Sequence, residues 1–249
     1  MFARFLISLL AGMTLAGQLS AQDSVAPKPK GVVELFTSQG CSSCPPADAA
    51  FEKLIRQGDV IALAYHVDYW NYLGWADTLS SKENTSRQYG YARTLGRSNV
   101  YTPQAVINGR DHLNGSDLSA INEKIDTFSK EGKGLRVPVA AKMKGDEMEI
   151  KIGAGEGRAN VVVVYFDKEK TVEMEKGENS GRKISYFHSV NDVETVGMWD
   201  GKEITLTLPA NVMEKANLEG CAILLQTSTP QGDPSAILGA TVLLAGKDV

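Results

Sequence analysis

Two cysteines three positions apart, Cys41 and Cys44, constrain this chain more than any other feature. They stand between a β-rich run at 32–36 and a helical pattern in which Ala47, Ala50, Phe51, Leu54 and Ile55 recur on one face. Pro45 and Pro46 follow Cys44 directly. Proline is tolerated in the first helical turn, where no backbone donor is needed. The helix is therefore expected to have its cap near Ser43, with Cys44 in the first turn, and to stop at Gly58. A helix N-terminus carries partial positive charge, which favours a thiolate, and the thiolate is the nucleophile in disulfide exchange. A second thiol one turn away can resolve the mixed disulfide. Cys41 is expected to be partly exposed, with first-turn amides directed at it, and Cys44 to be less accessible. Cys221 opens an apolar strand and reads as a buried core thiol. Three cysteines are too few for a disulfide framework.

The N-terminus supplies a redox context. Residues 1–4 carry one positive charge, and 5–15 are mostly apolar but too short to span a bilayer. Ala21 is a plausible last residue before cleavage. Residues 1–21 are thus expected to be a signal peptide and 22–30 a flexible tail, giving a periplasmic or secreted protein with no membrane attachment after cleavage. Disulfides persist in such compartments. The net charge of −4, with no long basic run, argues against nucleic acid as a partner.

Further along, 60–65 is an unbroken apolar run suited to a strand buried on both faces. With the first strand and helix it makes a right-handed βαβ unit. Residues 67–101 read as an insertion, rich in Tyr and Trp at first, then helical from the capping sequence Ser80-Ser81-Lys82-Glu83 to Gly96. Asn108-Gly109 joins 104–107 to 110–113, a strong hairpin signal, and a helix follows to about Lys130. Beyond the Gly-containing linker at 130–134, short strands are expected at 137–143, 147–152, 161–166, 184–189, 203–208, 222–226 and 236–244, with a short helix at 212–216. Such spacing suggests a β-sandwich.

Three stretches carry a resemblance: Gly40-Cys41-Ser42-Ser43-Cys44-Pro45-Pro46 with the strand before it, His66-Val67-Asp68-Tyr69-Trp70, and Tyr101-Thr102-Pro103-Gln104 with the hairpin after it. They resemble the thioredoxin superfamily and, within it, an exported bacterial family designated domain of unknown function 1223. The likeness is strong over 31–130 and weaker over the β-rich remainder. It implies an α/β thioredoxin-like domain at 31–130, which the strand pattern extends by an all-β sandwich-like domain at 135–249. It also implies that Cys41 attacks, that Cys44 resolves, and that Thr102-Pro103 is a cis bond facing the dithiol. The two serines between the cysteines, the second proline and the large insertion depart from the superfamily pattern and leave the direction of electron flow open.

His66 and Asp68 leave the second strand at its C-terminal end, the functional edge of an open α/β sheet. A base there would move protons for a buried thiol. The candidate site is therefore Cys41, Cys44, Pro103, His66 and Asp68, in a thiol–disulfide oxidoreductase acting on protein thiols or disulfides with no cofactor and no resident metal. Two other readings stay open. Thiolates with His66, His112 and His188 suit a copper-binding protein of the cell envelope. A structural disulfide beside Tyr69, Trp70, Tyr72 and Trp75 suits a non-catalytic interaction protein.

Overall fold

In the computed structural model, residues 28–209 and 219–244 are described. The expected signal peptide, residues 22–27 of the tail and the short helix at 212–216 lie outside them.

Strands β1 (Val32–Thr37) and β2 (Ile61–His66) run parallel, with Thr37 beside His66 at their C-terminal ends. Helix α1 (Pro45–Gln57) makes the crossover, with Cys44 as its N-cap and left-handed Gly58 as its stop. Its apolar face, Ala47, Phe51 and Leu54, packs on Val33, Leu35, Ala62 and Ala64. Strands β3 (Gln104–Ile107) and β4 (Asp111–Asn114) form the expected hairpin, and β3 pairs antiparallel with β1. Asn108 and Gly109 both take positive φ, 50° and 62°, as a two-residue turn of this hand demands. Between β2 and β3 lie a 3₁₀ turn (Asn71–Leu73) and α2 (Lys82–Thr94), whose Ser81 cap accepts from the Asn84 amide. Helix α3 (Leu118–Lys130), capped by Asp117, joins α1 on the same face of the sheet.

The second half departs from expectation. Strands β7 (Ala159–Glu173), β8 (Lys183–Trp199), β10 (Gly220–Ser228) and β11 (Pro234–Leu244) do not close into a sandwich. They extend the first sheet into one mixed eight-stranded sheet of order β11-β10-β7-β8-β2-β1-β3-β4. A thioredoxin-like α/β domain followed by an all-β sandwich is therefore not what the chain builds. The described residues are mostly β, with three α-helices. The only other sheet among them is β5 (Val139–Lys144), β6 (Glu147–Ile152) and β9 (Ile204–Pro209). It lays Met148, Ile150 and Ile152 over Val161, Val163, Cys221 and Ile223.

Apolar burial on both faces explains the outcome. Val162, Val164, Ala222 and Leu224 share a core with Leu63, Tyr65 and Tyr91, while the alternate residues of the same strands face the small sheet. A strand buried on both sides belongs inside a covered sheet. Ladder pairing across the seam between the halves is a single pair, Ala64 beside Ser189. Side chains reinforce it: Asn84 Nδ2 donates to the carbonyls of His66 and Val190 at 3.2 and 3.4 Å. His188 Nδ1 lies 2.8 Å from the Ala62 carbonyl.

Candidate functional site

Cys41 and Cys44 form a disulfide, with their Cα atoms 5.4 Å apart. It sits in the loop between β1 and α1, at the C-terminal ends of the two parallel strands. The sulfurs are less open than expected: Cys41 is 1% exposed and Cys44 fully buried. Ser42 and Ser43 between them are exposed, and Ser43 Oγ lies 3.4 Å from Cys41 Sγ. Helix α1 also offers Cys41 less than expected. Pro45 and Pro46 have no N–H, and the Ala47 and Asp48 amides donate to the Cys44 carbonyl at 2.8 and 3.1 Å. The first-turn amides are thus spent on the cap and not aimed at Cys41.

A cluster of buried ionisable groups gathers where the C-terminal ends of β1 and β2 meet the first turn of α1. Asp48, four residues after Cys44, accepts from Thr37 Oγ1 at 2.8 Å. Its other oxygen, Oδ2, is buried with no partner among the described residues. Burial pushes the carboxyl up to about 7, against the opposing pull of the His66 charge and the Thr37 hydrogen bond. His66 is fully buried, with Nδ1 2.8 Å from Asp77 Oδ2 and Nε2 without a partner among the described residues. Burial works against its imidazolium, but Asp77, by charge and hydrogen bond, and then Asp48 outweigh it and raise the pKa. The Tyr186 ring stands edge-on to His66, centroids 4.8 Å apart.

Asp77 ties this cluster to the cysteine loop, since its Oδ2 also accepts from the Gln39 amide at 2.8 Å. Gln39 Oε1 accepts from Trp75 Nε1 at 2.8 Å. Gly40 is pressed against Trp70, where a Cβ would come within 3.2 Å of Trp70 Cβ. Trp70 Nε1 in turn donates to Thr102 Oγ1 at 2.8 Å. The Thr102–Pro103 bond is cis. Pro103 shares a packing layer with the first turn of α1: a Cβ on Gly115 would meet Pro103 Cβ at 3.3 Å and Ala47 Cβ at 3.4 Å.

Of the expected residues, His66 thus joins the buried cluster that Asp77 ties to Gln39 of the cysteine loop, and Pro103 packs beside α1. Asp68 does not join them; its amide and carboxylate are both engaged by Thr85 Oγ1, at 3.0 and 2.6 Å. The copper set is not assembled. His112 bonds to Tyr101 and Arg97, the His188 ring lies tilted against Phe166, and no metal-binding group of three gathers among the described residues. Cys221 is buried against Met148, its thiol pushed up to about 12 by burial. Sequence reasoning missed Asp48, Asp77, Asn179 and Tyr186. Asp48 alone left a signal, a carboxylate on the apolar face of α1 between Ala47 and Phe51.

The X-ray crystal structure of protein AGR_C_4864 from Agrobacterium tumefaciens is similar at 59% identity and a TM-score of 0.83, covering 89% of this chain and 97% of that one. No curated protein matches the chain. Residues 32–226 match the family described as protein of unknown function, DUF1223. On that match, which spans most of its length, the chain belongs to this family.

Proposed function

We propose that the chain is a thiol–disulfide oxidoreductase whose exchangeable bond is Cys41–Cys44. The observation that carries this reading is the buried set Asp48, His66 and Asp77 at the strand ends that bear the cysteine loop, with Asp48 Oδ2 and His66 Nε2 without partners among the described residues. Buried groups of this kind cost stability, and a purely structural disulfide has no use for them. Disulfide exchange does, because each turnover moves two protons.

In the reduced form, the Cys41 thiolate attacks a partner disulfide. A Cys41–partner bond forms, the partner S–S bond breaks, and the leaving thiolate takes a proton. Asp48, in its ionised form, then accepts the Cys44 proton; the Cys44 thiolate attacks Cys41 Sγ, the Cys41–partner bond breaks, and the leaving partner thiolate takes the proton held by Asp48. The protein loses two electrons and two protons, and the partner gains them. The reverse sequence oxidises a partner dithiol. The expected export segment at 1–21 supports a periplasmic or secreted place of action, where protein thiols and disulfides are the available partners.

A structural disulfide is the second reading, and the near-complete burial of both sulfurs favours it. Trapping separates the two. Reduced Cys44→Ser protein, mixed with a model protein disulfide, should accumulate a mixed disulfide on Cys41 that mass spectrometry detects. Cys41→Ser should trap little, and Cys221→Ser should behave as the unaltered chain. Equal trapping by Cys41→Ser and Cys44→Ser, or none by either, would favour the structural role.

A further inference from the structure

We propose that Asn179 fastens the tip of the β7–β8 hairpin over the Cys41–Cys44 loop, and so determines which partners reach the disulfide. This rests on the redox reading above. The tip, residues 174–182, comes from the half of the chain that extends the sheet. Glu175, Lys176, Glu178 and Ser180 in it are exposed, yet Asn179 is 2% exposed. Its Nδ2 donates to the Gln39 carbonyl at 2.9 Å and to the Cys41 carbonyl at 3.0 Å. The two bonds bracket Gly40 and reach across nearly 140 positions of sequence. The tip backbone also abuts Trp75, where a Cβ on Gly177 would come within 2.8 Å of Trp75 Cβ.

This contact accounts for a tension in the site. A disulfide preceding a helix in a surface loop should be open to attack, as the exposed Ser42 and Ser43 are. Both sulfurs are nevertheless buried. A tip bonded to the Cys41 carbonyl lies where an approaching thiol must pass. Exchange then waits on the lifting of residues 174–182, and a small thiol gains nothing from its size. A partner that binds the exposed Glu175, Lys176 and Glu178 edge opens the site as it docks, and this selects protein partners over free thiols. Asn179 is a positioning residue that acts through the backbone of Cys41.

The test is the rate at which dithiothreitol and glutathione reduce the oxidised protein. Loss of two hydrogen bonds should raise the open fraction, and with it the rate, at least about tenfold. Asn179→Ala should show this, and so should Asn179→Asp, which keeps the shape but cannot donate. Amides of the tip and of residues 39–41 should exchange hydrogen faster in both variants, while β10 amides keep their protection; a merely structural role would loosen β10 as well. Should a variant fold poorly, the unaltered protein still decides: in urea well below its unfolding transition, tip exchange and disulfide reduction should accelerate together. Variant rates within about twofold of the unaltered protein, or urea-insensitive reduction, would overturn the proposal. Trapping at Cys41 by Cys44→Ser would be unaffected by that failure, so the redox reading stands or falls separately.

Discussion

Ionisation of Asp48 should cost the oxidised protein about 4 kcal/mol of stability as the pH rises from about 3 to about 8, and Asp48→Asn should abolish that contribution. The Asp48 carboxyl has a folded-state pKa of about 7 against a model value of 3.8. Between those values the folded chain keeps a proton that the unfolded chain has released, so stability falls as pH rises. The contribution is fully present below the unfolded pKa and gone above the folded one. His66 acts in the same direction at higher pH: its raised pKa gives stability that is complete below about 6.5 and lost as pH climbs through the folded value. Asn at position 48 can still accept from Thr37 through Oδ1 and carries no charge to bury. Near pH 4 the two proteins should unfold at similar urea concentrations; at pH 8 the variant should be the more stable by several kcal/mol. Parallel stability curves for the two proteins would show that Asp48 is not held protonated by its surroundings.

Glu34→Ala should cost about 3–5 kcal/mol, the usual result of leaving one partner of a buried ion pair uncompensated. Glu34 is fully buried in the middle of β1, and its Oε1 accepts from Arg87 Nε at 2.8 Å. Tyr91 Oη donates to the other oxygen. Arg87 lies over the rings of Tyr65 and Tyr91, 5.3 Å from each centroid, and donates to Gln226 Oε1 at 2.8 Å. Gln226 Nε2 closes the network onto Tyr91 Oη at 2.7 Å and the Ser235 carbonyl at 2.8 Å. One charge on β1 thus organises α2, β10 and β11, joining the two halves on the face away from α1. Removing it strands a guanidinium and a phenol in the core. The double variant Glu34→Leu with Arg87→Met should recover part of the loss, because no lone charge remains. Urea unfolding measures both. A cost below about 1 kcal/mol for Glu34→Ala would mean that Arg87 is compensated elsewhere.

Local signals read well from the sequence. Gly58 and Asn108-Gly109 mark a helix stop and a turn by chemistry confined to a few residues, and both act in the structure at their expected places, while the cap of α2 falls on Ser81, one residue after the first serine of the capping sequence. The topology did not read as well. Residues 161–166 and 221–225 are unbroken apolar runs like 60–65, and such runs mean burial on both faces. A sandwich strand alternates, so these two runs argued against a sandwich and for one continued sheet. Strand β8 hid more completely beyond the expected 184–189, since in 190–199 Val190, Val193, Val196, Met198 and Trp199 recur without a period of two. The site was legible where it is local. Cys41, Cys44 and His66 lie at the ends of adjacent strands, and the strand pattern places them. Asp77 and Asn179 arrive from an insertion and from a hairpin tip nearly 140 residues away, and no periodicity announces either.

The central claim, that Cys41–Cys44 exchanges electrons with partners, is tested most directly by its reduction potential. The full mature chain is equilibrated with glutathione buffers of graded ratio at pH 7, quenched with acid, and the fraction oxidised is read from alkylated mass. The account predicts a two-electron transition between about −120 and about −270 mV, the span of proteins that carry out disulfide exchange. A disulfide still fully oxidised at about −300 mV would contradict it and identify the bond as structural.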